Sequence, residues 1–161
     1  MEVAVARVAI LMGSPNDYDI MKPAETVLAG MGIESDVRVI SAHRTPARLV
    51  AFLGSAEDTG IEVVICGAGG AAHLAGAAAA HTALPVLGVP IESSPIGGLD
   101  ALLSTVQMPP GVPVATFGVG AWGAKNAGIF AAQIIAGNDA EVRKAVEQFR
   151  AAQTENAPER P

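Results

Sequence analysis

One cysteine, Cys66, is the only thiol in this sequence, so no disulfide can close within the chain. It ends the run Ile61-Glu62-Val63-Val64-Ile65-Cys66, where a buried and inert thiol is expected. Aromatic residues are scarce at 4%, with one Trp and one Tyr, so small and aliphatic side chains must close the core. Basic residues are also short: 10 Lys and Arg stand against 16 Asp and Glu, a net charge of −6. That balance argues against nucleic acid or an anionic membrane surface as a partner. An anionic small molecule would have to be held by local donors. No apolar run reaches the roughly 18 residues that cross a bilayer. Residues 1–7 lack the basic stretch, apolar core and cleavage site of a signal peptide, so a cytoplasmic protein is expected. Three His and one Cys without ligand spacing predict no metal site. Neither the phosphate loop GxxxxGK[ST] nor the nucleophile elbow GxSxG occurs.

What is present is apolar and small. Half of the residues are apolar, Gly occupies 18 positions, and mean hydropathy is +0.40. Small residues let helices and strands approach closely, and the surplus of apolar surface predicts a homo-oligomer. A length of 161 residues suits one domain over 1–161, with a core at about 7–152 and a loose tail at 153–161.

Strand and helix signals alternate. Residues 7–12 are a continuous apolar run, as in a strand buried on both faces. Gly13-Ser14-Pro15-Asn16-Asp17 then leads into a helix with Met21, Ala24, Val27, Leu28 and Met31 on one face. Pro23 inside that helix predicts a kink or a late start. Residues 33–40 read as a second strand and 46–59 as a helix, with Thr45 as cap, Pro46 first and Gly60 as stop. Residues 61–66 are the third strand, followed by a Gly-rich turn and an Ala-rich helix ending near Thr82. Further strands at 86–91 and 113–117 alternate with helices at 98–106 and 122–135. Asn138 and Glu141 suggest a capping box for a last helix. The alternation implies right-handed crossovers and an α/β fold. The predicted architecture is a flavodoxin-like, doubly wound parallel sheet of order 2-1-3-4-5, in three αβα layers with an extra C-terminal helix. In that order the turns after strands one, two and three open onto a single crevice.

Those three turns hold the unusual residues. In the first, Ser14, Asn16 and Asp17 read first as helix capping, with a phosphate on Ser14 and backbone amides and Asp17 accepting from sugar hydroxyls as the functional alternative. In the second, Ser41-Ala42-His43-Arg44-Thr45-Pro46 places a proton carrier beside a permanent cation at the ligand edge. A cap and a surface ion pair are the alternative readings. The third, Gly67-Ala68-Gly69-Gly70-Ala71-Ala72-His73, departs from GxGxxG because Ala72 holds the last glycine position, so a dinucleotide site is weakly supported. Its glycines suit backbone amides approaching a small planar ligand or a carboxylate, with His73 as a hydrogen-bonding group. His81, at the far end of the following helix, reads as structural or surface.

These motifs together resemble the PurE family, and within it the bacterial class I mutases. The resemblance rests on Gly13-Ser14, on the His43-Arg44 motif and on the Gly67–Leu74 segment. Leu84-Pro85-Val86-Leu87-Gly88-Val89-Pro90, Gln107-Met108-Pro109, Lys125-Asn126-Ala127 and Ala131-Ala132-Gln133-Ile134 extend it over residues 7–152. It implies a homo-octamer with active sites shared between neighbours and neither metal nor organic cofactor. It implies transfer of the carboxylate of N5-carboxyaminoimidazole ribonucleotide from N5 to C4. Ser14, Asp17, Ser41 and Arg44 would bind the ribose phosphate side, Ala42 would also contact the substrate, and His43 would be the general acid and base. Ala68, Gly69, His73 and Leu74 would line the pocket for the imidazole and its carboxylate. Pro15-Asn16 and Tyr18 depart from the family pattern, which often has Ser at the second position and Trp at the third. The related carboxylases that use free CO2 tend to carry Lys where this chain has Arg44. They are one alternative; a flavodoxin-like nucleotide-binding module without chemistry is the other.

Overall fold

Five parallel strands form one sheet in the order β2-β1-β3-β4-β5: β1 Val8–Met12, β2 Ser35–Val39, β3 Val63–Gly69, β4 Val86–Ile91 and β5 Ala115–Thr116. The computed structural model describes residues 5–158 and residue 160. Most of the leader reading at residues 1–7, and positions 159 and 161 of the expected tail, lie outside the described residues. Strand β1 lies inside the sheet, between β2 and β3. Its Ile10 pairs with Val37 on one side and Ile65 on the other, and all five of its residues are buried.

Alternation along β1 sorts its side chains into two cores. Val8, Ile10 and Met12 face α1 (Tyr18–Gly30), α5 (Ala121–Ile135) and α6 (Ala140–Glu155). Ala9 and Leu11 face α2 (Pro46–Ala56) and α3 (Leu74–Ala79). Helix α4 (Leu99–Val106) joins that second face, where Thr105 lies over Gly88. Fully burying each Ile, Leu or Met contributes about 1.5–3 kcal/mol, which explains why both faces of the sheet are covered. The scarcity of aromatics fits the close helix pair on the first face. A Cβ at Gly128 of α5 would come within 2.9 Å of the Ala24 carbonyl oxygen of α1, so only glycine allows this spacing.

Local differences from the sequence reading have physical causes. Strand β3 continues past Cys66 because Gly67, Ala68 and Gly69 find ladder partners in Val89, Pro90 and Ile91. Two of the expected turn glycines are therefore strand residues, and Gly70, with φ +61°, makes the turn. Helix α3 then covers only Leu74–Ala79 instead of reaching Thr82. Helix α1 begins at Tyr18 and runs through Pro23, so the late start does not occur. Thr45 stands at the N-cap of α2 without making a side-chain cap bond. The second helix ends as a 3-10 turn, Glu57–Thr59, with Gly60 in the left-handed region at φ 96°. The cap of α6 is Asp139, not Asn138: its side chain accepts from the N–H groups of Glu141 and Val142. Helix α6 runs on to Glu155, so residues 153–155 of the expected tail are helical.

Candidate active site

The turns after β1, β2 and β3 meet at the carboxyl edge of the sheet around a crevice of about 430 Å³. Its walls include all ten residues singled out from the sequence: Ser14, Asp17, Ser41, Ala42, His43, Arg44, Ala68, Gly69, His73 and Leu74. Gly13, Asn16, Ala71 and Ser93 complete the lining.

In the first turn the chain leaves β1 into a 3-10 turn, Pro15–Asp17, that holds itself by reciprocal capping. The Ser14 hydroxyl accepts from the Asn16 N–H at 3.2 Å, and an Asp17 carboxylate oxygen accepts from the Ser14 N–H at 3.0 Å. Capping is thus observed, and the same residues still face the crevice. Burial pushes the Asp17 carboxyl above its ordinary value, opposed by the Ser14 N–H and the positive charge of Arg44.

The second turn is stiffened by Thr45, whose hydroxyl accepts from the Ser41 N–H at 3.0 Å and donates to the Ser41 carbonyl at 2.9 Å. The Ser41 hydroxyl in turn accepts from the Arg44 backbone N–H and from Arg44 Nε, at 3.2 and 3.3 Å. Arg44 Nη2 donates to the Gly13 carbonyl at 2.7 Å, joining the first turn to the second. These bonds use two of the five guanidinium N–H groups, and the other three remain for an anion. Arg44 makes no ion pair among the described residues, unlike Arg7 and Arg38.

Between the second and third turns, His43 Nε2 lies 2.8 Å from His73 Nδ1, with the rings edge to face at a centroid distance of 4.9 Å. One of the two nitrogens must carry the shared proton, so this pair is a ready path for proton movement at the crevice wall. His73 stands at the N-cap position of α3 without a side-chain cap bond, so its ring is free to meet His43. Close approach governs the rest of this wall. A Cβ on Gly67 would overlap Met21 of α1, and one on Gly69 would overlap Ser93.

The remaining candidates lie elsewhere. His81, just past the end of α3, donates from Nδ1 to the Ala77 carbonyl at 2.8 Å, outside the crevice. Cys66 is fully buried, and burial pushes its thiol up to about 12, so it stays protonated and unreactive at neutral pH. No group of three or more His, Cys, Asp or Glu able to hold a metal occurs among the described residues. Sequence reasoning missed Ser93, which arrives from the end of β4. The signal was available: the strand order that brings β1, β2 and β3 together also sets β4 beside β3.

Residues 7–156 match the family model described as AIR carboxylase. The N5-carboxyaminoimidazole ribonucleotide mutase of Brucella melitensis is 51% identical over 154 residues, covering 96% of this chain and 95% of that protein. The protein of the same name from Escherichia coli K12 is 49% identical over 156 residues, covering 97% and 92%. The crystal structure of PurE from Treponema denticola superposes with a TM-score of 0.84 at 28% identity, over 93% of this chain and 92% of that one. The chain therefore belongs to the AIR carboxylase, or PurE, family.

Proposed function

We propose that this protein is an N5-carboxyaminoimidazole ribonucleotide mutase of purine biosynthesis, converting its substrate to 4-carboxy-5-aminoimidazole ribonucleotide. The observation that carries the reading is the placement in one crevice of a histidine pair and an arginine that makes no ion pair among the described residues. The arginine suits a phosphate and the histidine suits a proton. Relatives near half identity named as mutases support this choice over the carboxylase that takes up free CO2.

In the proposed reaction, Arg44, Ser14, Asp17, Ser41 and the Ala42 backbone hold the ribose phosphate. The imidazole lies between His43, His73, Leu74 and the backbone of Ala68 and Gly69. The bond from N5 to the carboxylate carbon breaks with its electron pair passing to N5, which takes a proton from His43. The freed CO2 stays in the crevice, and C4 of the electron-rich ring attacks it. His43 then removes the C4 proton, restores aromaticity and returns to its starting state. Confinement replaces a bimolecular encounter. Proton transfer by His43 supplies roughly 10²–10⁴-fold, or about 3–5 kcal/mol.

A homo-octamer in the cytoplasm belongs to the same reading. Ile96, Leu99, Leu103 and Val106 expose an apolar stripe along and before α4, and Trp122 is 87% exposed, which suits burial by neighbouring copies. No helix among the described residues is long and apolar enough to cross a membrane. Two assays test the proposal. Supplied separately with N5-carboxyaminoimidazole ribonucleotide and with aminoimidazole ribonucleotide plus bicarbonate, the protein should turn over the first efficiently. Preference for the second would establish the carboxylase instead. Sedimentation should give a mass of eight chains, and a monomer would end the octamer proposal.

A further inference from the structure

Ser93 stands two residues beyond Ile91, the last residue of β4, and lines the crevice from a strand that none of the three turns belongs to. Its side chain rests on the backbone of Gly69, where a Cβ would overlap it and approach the Ile91 carbonyl oxygen to 3.0 Å. The Ser93 hydroxyl is also 4.0 Å from where a Cβ on Gly70 would stand. The oxygens of the other two crevice serines already accept hydrogen bonds. Ser14 accepts from the Asn16 N–H, and Ser41 accepts twice from Arg44. Next door, the Ser94 hydroxyl accepts from the Ile96 N–H at 3.5 Å within its own loop. Ser93 Oγ makes no hydrogen bond among the described residues. Of the three crevice serines, Ser93 is thus the one whose hydroxyl makes no hydrogen bond among the described residues, and it lies against the glycines of the third turn rather than in the Arg44–Ser41–Gly13 network.

We infer that Ser93 is a substrate-holding residue whose hydroxyl donates to the migrating carboxylate and to the CO2 released from it. The inference rests on the mutase reading. A hydroxyl suits both states of the fragment, because each presents only oxygen acceptors. Replaced by a methyl group, it would leave the freed CO2 without that donor while the phosphate stays held by Arg44. The fragment would then escape before C4 captures it.

The test is turnover of unlabelled N5-carboxyaminoimidazole ribonucleotide in ¹³C-bicarbonate buffer, comparing the unmodified protein with Ser93→Ala and Ser93→Thr. A hydrogen bond to a charged group corresponds to roughly 10–100-fold, so Ser93→Ala should lose about that factor in kcat/KM. It should also release aminoimidazole ribonucleotide and take up label into product. Ser93→Thr, which keeps the hydroxyl, should restore coupling. Unchanged kcat/KM and label uptake in Ser93→Ala would overturn the inference. So would a loss of kcat/KM without extra release or label, which marks a merely structural role, or a Thr variant as uncoupled as the Ala variant. No conversion of the substrate by the unmodified protein would overturn the mutase reading itself, and this inference with it.

Discussion

The two edges of the sheet each carry an aspartate at the start of a helical segment, and their carboxyl groups are pushed in opposite directions. At the amino edge, Asp139 accepts from the N–H groups of Glu141 and Val142 and from Arg7 Nη1 at 2.6 Å. The Val142 N–H and the Arg7 guanidinium hold its carboxyl below the ordinary value. Arg7 also pairs with Glu62, so the entries to β1, β3 and α6 are tied by charges that satisfy one another. At the carboxyl edge, burial raises the Asp17 carboxyl, and Arg44 spends its bonds on a carbonyl and a hydroxyl. One edge is closed electrostatically, and the other keeps polar capacity for a ligand.

The contrast can be broken hardest at His43. His43→Asn should lower kcat by roughly 10²–10⁴-fold while substrate binding measured by calorimetry persists. Near-normal turnover would remove proton transfer from the crevice. Next comes Arg44→Ala, for which a lost hydrogen bond to a charged group predicts roughly 10–100-fold weaker binding of the phosphorylated substrate. An unchanged preference for the phosphorylated over the dephosphorylated compound would show that Arg44 holds something else. Smaller still is Gly67→Ala, where overlap with Met21 should cost about 1–3 kcal/mol in urea unfolding. An unchanged midpoint would mean that α1 moves aside freely.

The finest test compares the two aspartates by pH. The Asp139 carboxyl is lowered from 3.8, so its stabilisation is present above that pH and fades as acid takes the solution down through the folded-state value. The Asp17 carboxyl is raised from 3.8, so its ionised form costs stability once the pH climbs through the folded-state value. At pH 7, Asp139→Asn should therefore lower the thermal midpoint and Asp17→Asn should raise it. Shifts of the same sign would erase the distinction between the edges.

Much of this arrangement was legible in the residues. The apolar run of β1 and the bounds of β4 were read from hydrophobic pattern, the strand order was the flavodoxin-like one expected of five alternating strands, and that order placed three turns at one crevice. What escaped was local competition between hydrogen-bond partners. Cys66 does not end β3, because β4 offers ladder partners to three more residues. Asn138 is passed over as a cap because Asp139 has both the helix N–H groups and Arg7 within reach. Thr45 binds Ser41 rather than capping α2.

From the chain alone came the elements and, in the turns, Ser14, Asp17, His43, Arg44, Gly69 and His73, because periodicity and turn chemistry are local properties that survive without knowing the neighbours. Ser41, Ala42, Ala68 and Leu74 joined them through the resemblance to the family. Contact between His43 and His73, the bridge from Arg44 to Gly13 and the arrival of Ser93 over Gly69 were decided only in three dimensions. Each joins segments far apart in sequence, and an interaction of that kind exists only once packing has fixed both of its partners.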